Sequence, residues 1–147
     1  DDFPQHISDV DASVKAAELR IAKIRNELTT QTVIQKHCDS YRLCRKVIED
    51  CKSAKNPKAY RTRHQAEYQL HDSLKKELQD LGITKIPSSD KIQKRIENLE
   101  SEQSSTVREK QDLQKKQKTL EIIQQNFSAL LASLEIGIPT QVKEEIL

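Results

Sequence analysis

Apolar residues recur along this chain at alternating steps of three and four, the signature of helices burying one narrow stripe. Val10, Val14, Ala17, Ile21, Ile24 and Leu28 form the first run. Its phase then slips, because the pattern resumes at Ile34, six residues after Leu28, and continues through Cys38, Tyr41, Cys44 or Arg45, and Ile48. A slip of this kind locally distorts a supercoil. A second run reads Ala66, Leu70, Leu74, Leu78 and Leu81, with Tyr60, His64, Glu67 and His71 on an adjoining face. The third is unbroken: Ile92, Ile96, Leu99, Gln103, Thr106, Lys110, Leu113, Gln117, Leu120, Gln124, Phe127, Leu131 and Leu134. Its polar middle, at Gln103, Thr106, Lys110 and Gln117, weakens a coiled coil but fixes register and partner choice.

Two breaks separate these runs. Asn56 precedes Pro57 and so resists the helical conformation, whereas Pro57 suits a first helical position. Gly82 is placed to close a helix as its C′ residue, Pro87 blocks continuation, and Ser88 or Ser89 can cap the next helix. Gly137-Ile138-Pro139 is a third, weaker break. The pattern predicts an acidic N-terminal segment over 1–9, helices over about 10–55, 58–81 and 90–134, and a tail or short helix over 135–147. Helices of the first and third lengths would each extend roughly 65–70 Å. The expected fold is all-α: a long antiparallel coiled-coil hairpin with a shorter third helix packed at one end.

Composition agrees with narrow seams. Of 147 residues, 33% are charged and 3% aromatic, with two glycines and no tryptophan or methionine. A thick core would normally hide several large aromatic rings. Disorder is the competing reading of so polar a chain, and the regular apolar spacing speaks against it. The net charge of +2 implies no partner by itself, but its distribution is uneven. Asp1, Asp2, Asp9 and Asp11 open the chain without a cation among the first eleven residues. Between 42 and 63, Arg42, Arg45, Lys46, Lys52, Lys55, Lys58, Arg61 and Arg63 face only Glu49 and Asp50, a local net of +6. Around the Pro57 turn these cations could neutralise several DNA phosphates without reading sequence, whereas Tyr41 and Tyr60 are too few for a base-stacking platform. The competing view of the same region is a solvated tip that keeps the protein soluble.

Catalytic chemistry finds no foothold. Two glycines cannot build a phosphate-cradling loop, and no HExxH, CxxC or GxSxG occurs. His37 and Cys38 are adjacent and point to different faces, while His64 and His71 are too widely spaced for one ion. No metal or cofactor is expected, and the carboxylates read as partners of nearby Lys and Arg. Cys38, Cys44 and Cys51 are odd in number; the last two stand about 10 Å apart on a helix, beyond disulfide reach, so reduced thiols in a cytoplasmic protein are expected. No apolar run reaches the roughly 20 residues of a membrane span. Asn126-Phe127-Ser128 matches a glycosylation sequon, uninformative without secretion. The chain opens on Asp-Asp-Phe-Pro without methionine, as a piece of a longer protein would.

From about Ile24 to Leu134 the chain resembles the C-terminal helical region of relaxases, the mobilisation nucleases of conjugative elements in Gram-positive bacteria. The similarity rests on HQAEYQLHDSLKKELQDLGITKIPSSDKIQKRIENLESE from His64 onward. There a helix ending in leucine and glycine is followed by the Lys85–Ser88 turn and a Lys-, Ile- and Glu-rich helix. The stretch Ile34 to Cys51, with His37, Tyr41 and Arg45-Lys46-Val47, looks like the preceding helix. The resemblance implies a parent enzyme that nicks DNA through a tyrosine and a histidine-bound metal in a domain upstream of this chain. The chain lacks an HxH motif, and none of Tyr41, Tyr60 or Tyr68 sits in such a context. The implied role is therefore accessory: contacting DNA, or docking relaxosome or coupling-protein partners. The alternative is a structural coiled-coil protein that self-associates, with a homodimer forming through the helical seam.

Overall fold

The computed structural model describes residues 2–137. Among them the chain is all-α: α1 (Phe3–Asp50), a 3-10 turn (Cys51–Ser53), α2 (Pro57–Arg63), α3 (Gln65–Asp80) and α4 (Ser89–Gly137). No helix among the described residues is long and apolar enough to cross a membrane. The tail expected over 135–147 lies outside the described residues from 138 onward, and residues 135–137 belong to α4.

The helix starts earlier than the pattern predicts. Residues 3–9, expected as a separate acidic segment, form the first turns of α1. Pro4 falls where a backbone N–H has no helical acceptor, so it costs no hydrogen bond. The Asp2 carbonyl accepts from the His6 N–H at 2.9 Å, and Gln5 donates to Asp9 at 2.8 Å one turn later. Half-buried Phe3 and Ile7 extend the Val10–Val14 stripe backwards at the same spacing.

The described chain forms two compact units. In the first (2–22 and 104–137), Val10, Val14, Ala17 and Ile21 are buried, as is Thr106 of α4. Three polar pairs cross between the helices: Gln117 donates to Asp11 at 2.6 Å, Lys110 meets Glu18 at 3.6 Å, and Arg20 meets Glu109 at 2.9 Å. As one number rises the other falls, so these segments run antiparallel in constant register. Two of the four polar seam positions, Lys110 and Gln117, thus find partners on α1.

The second unit (23–103) has the thicker core. Ile34, Cys38, Tyr41 and Cys44 of α1 pack with Leu74 and Leu78 of α3 and with Ile92 and Ile96 of α4, joined by half-buried Leu28, Ile83 and Ile86. The shift of α1 to Ile34, Cys38, Tyr41 and Cys44 turns this stretch toward a cluster shared with α3 as well as α4. Cys44 takes the inward place and Arg45 stays exposed. Arg95 pairs with Glu27, and Gln35 donates to Gln93 at 3.1 Å across the exposed edge.

The segment expected as one helix over 58–81 is two. Helix α2 ends at Arg63, and α3 begins after His64, whose φ of −109° and ψ of 25° depart from the helical values. The buried stripe of α3 also differs from the Ala66–Leu70–Leu74–Leu78–Leu81 line. Leu74 and Leu78 are buried, but Leu70 and Leu81 are 47% and 43% exposed, and Ala66 is exposed. Half-buried His64, Glu67 and His71 take the inward positions instead. The cause is aromatic: the His71 ring stacks on buried Tyr41, centroids 4.7 Å apart, so an amphipathic ring covers the core where leucine was expected.

The close of α3 is a Schellman motif, with Ile83 N–H donating to the Leu78 carbonyl at 2.8 Å and Gly82 N–H to Gln79 at 2.9 Å. Gly82 holds φ +83°, open to glycine at little cost. Ser88 Oγ then accepts from the Lys91 N–H at 3.2 Å and caps α4. Leu78→Ala should therefore cost about 2–5 kcal/mol in urea unfolding, whereas Leu70→Ala should cost less than about 1 kcal/mol. The reverse order would place the α3 stripe where its leucine spacing alone suggests.

Candidate nucleic-acid interface

The eight cations of 42–63 all lie in the second unit, on the last turns of α1, the 3-10 turn, the link to α2, and α2 itself. Local chemistry folds this corner. Asn56 Oδ1 accepts from the Ala59 N–H at 3.2 Å, so Asn56 caps α2, and Pro57 occupies the first turn. The Tyr60 hydroxyl donates to the Val47 carbonyl at 2.8 Å, and the Cys51 thiol contacts the Pro57 carbonyl at 3.6 Å. These bonds hold α2 against the end of α1, which brings the two cationic segments together.

The cations divide by what holds them. Half-buried Arg42 binds Asp39 at 3.3 Å and donates to the Pro87 carbonyl, tying α1 to the turn before α4. Arg45 pairs with Glu49 at 3.3 Å; both side chains are well exposed, so the pair is weak and exchangeable. Arg61 lies over the Tyr68 ring, 5.0 Å from its centroid. Lys46, Lys52, Lys55, Lys58 and Arg63 are exposed, and their side chains make no ion pair or hydrogen bond among the described residues. Lys58 and Arg61 line a shallow hollow of about 270 Å³ with Thr62 and Gln65.

The aromatic residues serve the fold. Tyr41 is buried under His71, Tyr60 is bonded to α1 and packs on His64 at 4.3 Å, and Tyr68 sits beneath Arg61. Bonding to Cys51 and desolvation raise the Tyr68 phenol above its ordinary range, and desolvation raises that of Tyr60. Each histidine of this unit has a carboxylate neighbour: His37 with Glu77 at 3.1 Å, His64 with Glu67 at 3.5 Å, and His71 with Asp72 at 3.2 Å. Among the described residues no group of three His, Cys, Asp or Glu could hold a metal ion. Sequence reading missed the Tyr60–Val47 bond and the Arg61–Tyr68 contact. The i,i+7 spacing of Arg61 and Tyr68 across a helix break carries no pattern that would reveal the latter.

Comparison with protein-family models, curated proteins and solved structures returns no match.

The three cysteines are free thiols, Cys38 and Cys44 buried and Cys51 half-buried. Burial pushes the Cys38 and Cys44 thiols above their ordinary value of 9.0, with Arg42 partly opposing the shift at Cys38. A raised thiol pKa favours the folded state below the unfolded value, and that preference is lost as pH rises through the folded value. Alkylation near pH 8 should therefore modify Cys51 first and reach Cys38 and Cys44 only after denaturant is added. Equal native-state rates for all three would contradict the packing around α1.

Proposed function

We propose that this chain is a non-catalytic helical accessory region of the relaxase kind, which grips the DNA backbone through the basic corner of α1 and α2. The observation that carries the reading is the set of five exposed, unpaired cations, Lys46, Lys52, Lys55, Lys58 and Arg63, on segments held together by the Tyr60–Val47 bond. Cations already committed to carboxylates would have to break those pairs to meet phosphate, and these five do not. Their contribution is counterion release, which gives affinity without base selection. The half-buried or buried state of Tyr41, Tyr60 and Tyr68 favours phosphate contact over base stacking.

The relaxase assignment draws support from the order of features after His64: a helix closed by Gly82, the Lys85–Ser88 turn, then the Ser88-capped α4. On this reading the parent protein nicks DNA with a domain outside this chain, works in the cytoplasm during conjugative transfer, and uses the present region to hold DNA or to dock relaxosome or coupling-protein partners. The pairing of α1 with α4 as an antiparallel coiled-coil hairpin, with α3 packed at one end, belongs to the same proposal. The constant antiparallel register of the polar pairs in the first unit supports it.

Fluorescence anisotropy with a labelled duplex of arbitrary sequence tests the DNA part. Binding at low salt should fall with a log–log slope of roughly −4 to −5, the value for five phosphates. Replacing Lys46, Lys52, Lys55, Lys58 and Arg63 by Ala should weaken it by at least roughly a hundredfold. Replacing Lys15, Lys23, Lys36, Lys91 and Lys94 instead should have a much smaller effect. Absent binding at low salt, or equal losses from the two sets, would refute the corner as a DNA contact. Supercoiled plasmid should stay intact with the chain alone.

A further inference from the structure

Of the eight cations in the basic corner, Arg61 is held by a ring rather than by a carboxylate: its guanidinium carbon lies 5.0 Å from the Tyr68 centroid. Tyr68 is itself half-buried and bonded to Cys51, which fixes the ring beneath Arg61. No hydrogen bond among the described residues takes the Arg61 N–H groups, so its fork stays available to an anion. Lys58, Arg61 and Thr62 stand at i, i+3 and i+4 on one face of α2, and with Gln65, the first residue of α3, they line the hollow of about 270 Å³. Among the described residues no carboxylate lines it. Between Asp50 and Asp72 the sequence holds only Glu67, and Glu67 pairs with His64 at 3.5 Å. The Thr62 hydroxyl donates to the Lys58 carbonyl at 3.0 Å. The donors left to the hollow are the Arg61 guanidinium, the Lys58 ammonium and the Gln65 carboxamide.

We propose that this hollow seats a single phosphate group, which on the DNA reading above belongs to the bound strand. Arg61 grips two of its oxygens, Lys58 neutralises it, and Gln65 donates one further hydrogen bond. Tyr68 is a positioning residue that holds the Arg61 fork over the hollow. A strand phosphate presents two free oxygens, which a guanidinium matches with paired N–H groups and an ammonium does not. Two cations converging on one hollow without a carboxylate favour an anion over a cation or a neutral ligand. Lys46, Lys52, Lys55 and Arg63 are held by nothing and can follow any phosphate, whereas the hollow fixes one in place and so sets how the strand lies on the corner.

Inorganic phosphate titrated into the whole chain, followed by proton–nitrogen NMR, tests the seat. The amides of 58–65 and the Arg61 Nε–H should shift and saturate with dissociation on the order of millimolar, and chloride at matched ionic strength should not move them. Arg61→Lys keeps the charge but should weaken phosphate binding at least about fivefold. Lys46→Ala, outside the hollow, should change it by less than about twofold. Tyr68→Leu should weaken it about threefold, and Tyr68→Phe, which keeps the ring, should retain most of it. Phosphate should also displace a labelled duplex beyond the chloride control, an excess that Arg61→Lys removes. Shifts no larger than those in chloride would overturn the seat, as would equal losses from Arg61→Lys and Lys46→Ala. Equal losses from Tyr68→Leu and Tyr68→Phe would overturn the role of the ring. Phosphate that binds without displacing DNA beyond chloride would overturn the strand as its source. Failure of the seat leaves DNA binding through the free cations standing. A chain that bound no DNA would sink that reading and the strand as source, while the phosphate titration still decides the seat.

Discussion

The structure depends on one cluster, in which Ile34, Cys38, Tyr41 and Cys44 of α1 meet Leu74 and Leu78 of α3 and Ile92 and Ile96 of α4. A chain with 33% charged residues and 3% aromatics has few side chains able to offset the entropy of ordering long helices. Helix α3, at 16 residues, would be marginal alone in water. Here it is held by two buried leucines, by the His71–Tyr41 stack and by the His37–Glu77 contact. Arg42 adds a tie from α1 to the Pro87 carbonyl, and the Schellman close of α3 returns Ile83 to the same cluster. Removing the cluster would leave three helices with little reason to remain together.

The first unit uses a thinner solution. Among the described residues its buried set is four α1 side chains and Thr106, and polar pairs at Asp11, Glu18 and Arg20 set the register. Exposed pairs contribute little energy. Their value lies in specificity: a shift by one turn would part all three at once. Lys110 and Gln117 of the polar α4 seam are thereby matched within one chain.

Much of the architecture was legible in the spacing of apolar residues. The 3-4 steps of α1 and α4, the break at Pro57 and the close at Gly82 each have a local cause that a sequence displays. Three features were not legible. The start of α1 at Phe3 was hidden because acidic residues and a proline look like a cap or a loop, while Pro4 is harmless only once the helix is known to begin beside it. The break at His64 has no glycine or proline to announce it. The rotation of α3 was concealed because leucine outranks histidine in any hydropathy pattern, and only the partner ring of Tyr41 makes His71 the better inward residue. The basic corner was visible as a charge run, but its division into held and free cations depends on contacts distant in sequence, such as Arg42 with Pro87.

Hydrogen exchange on the amides of α3 tests the central claim most directly. If the three-segment cluster carries the second unit, amides around Leu74 and Leu78 exchange as slowly as those around Cys38 and Tyr41 of α1, and Leu78→Ala accelerates both together. Exchange in α3 as fast as in an isolated 16-residue helix, with α1 still protected, would contradict it.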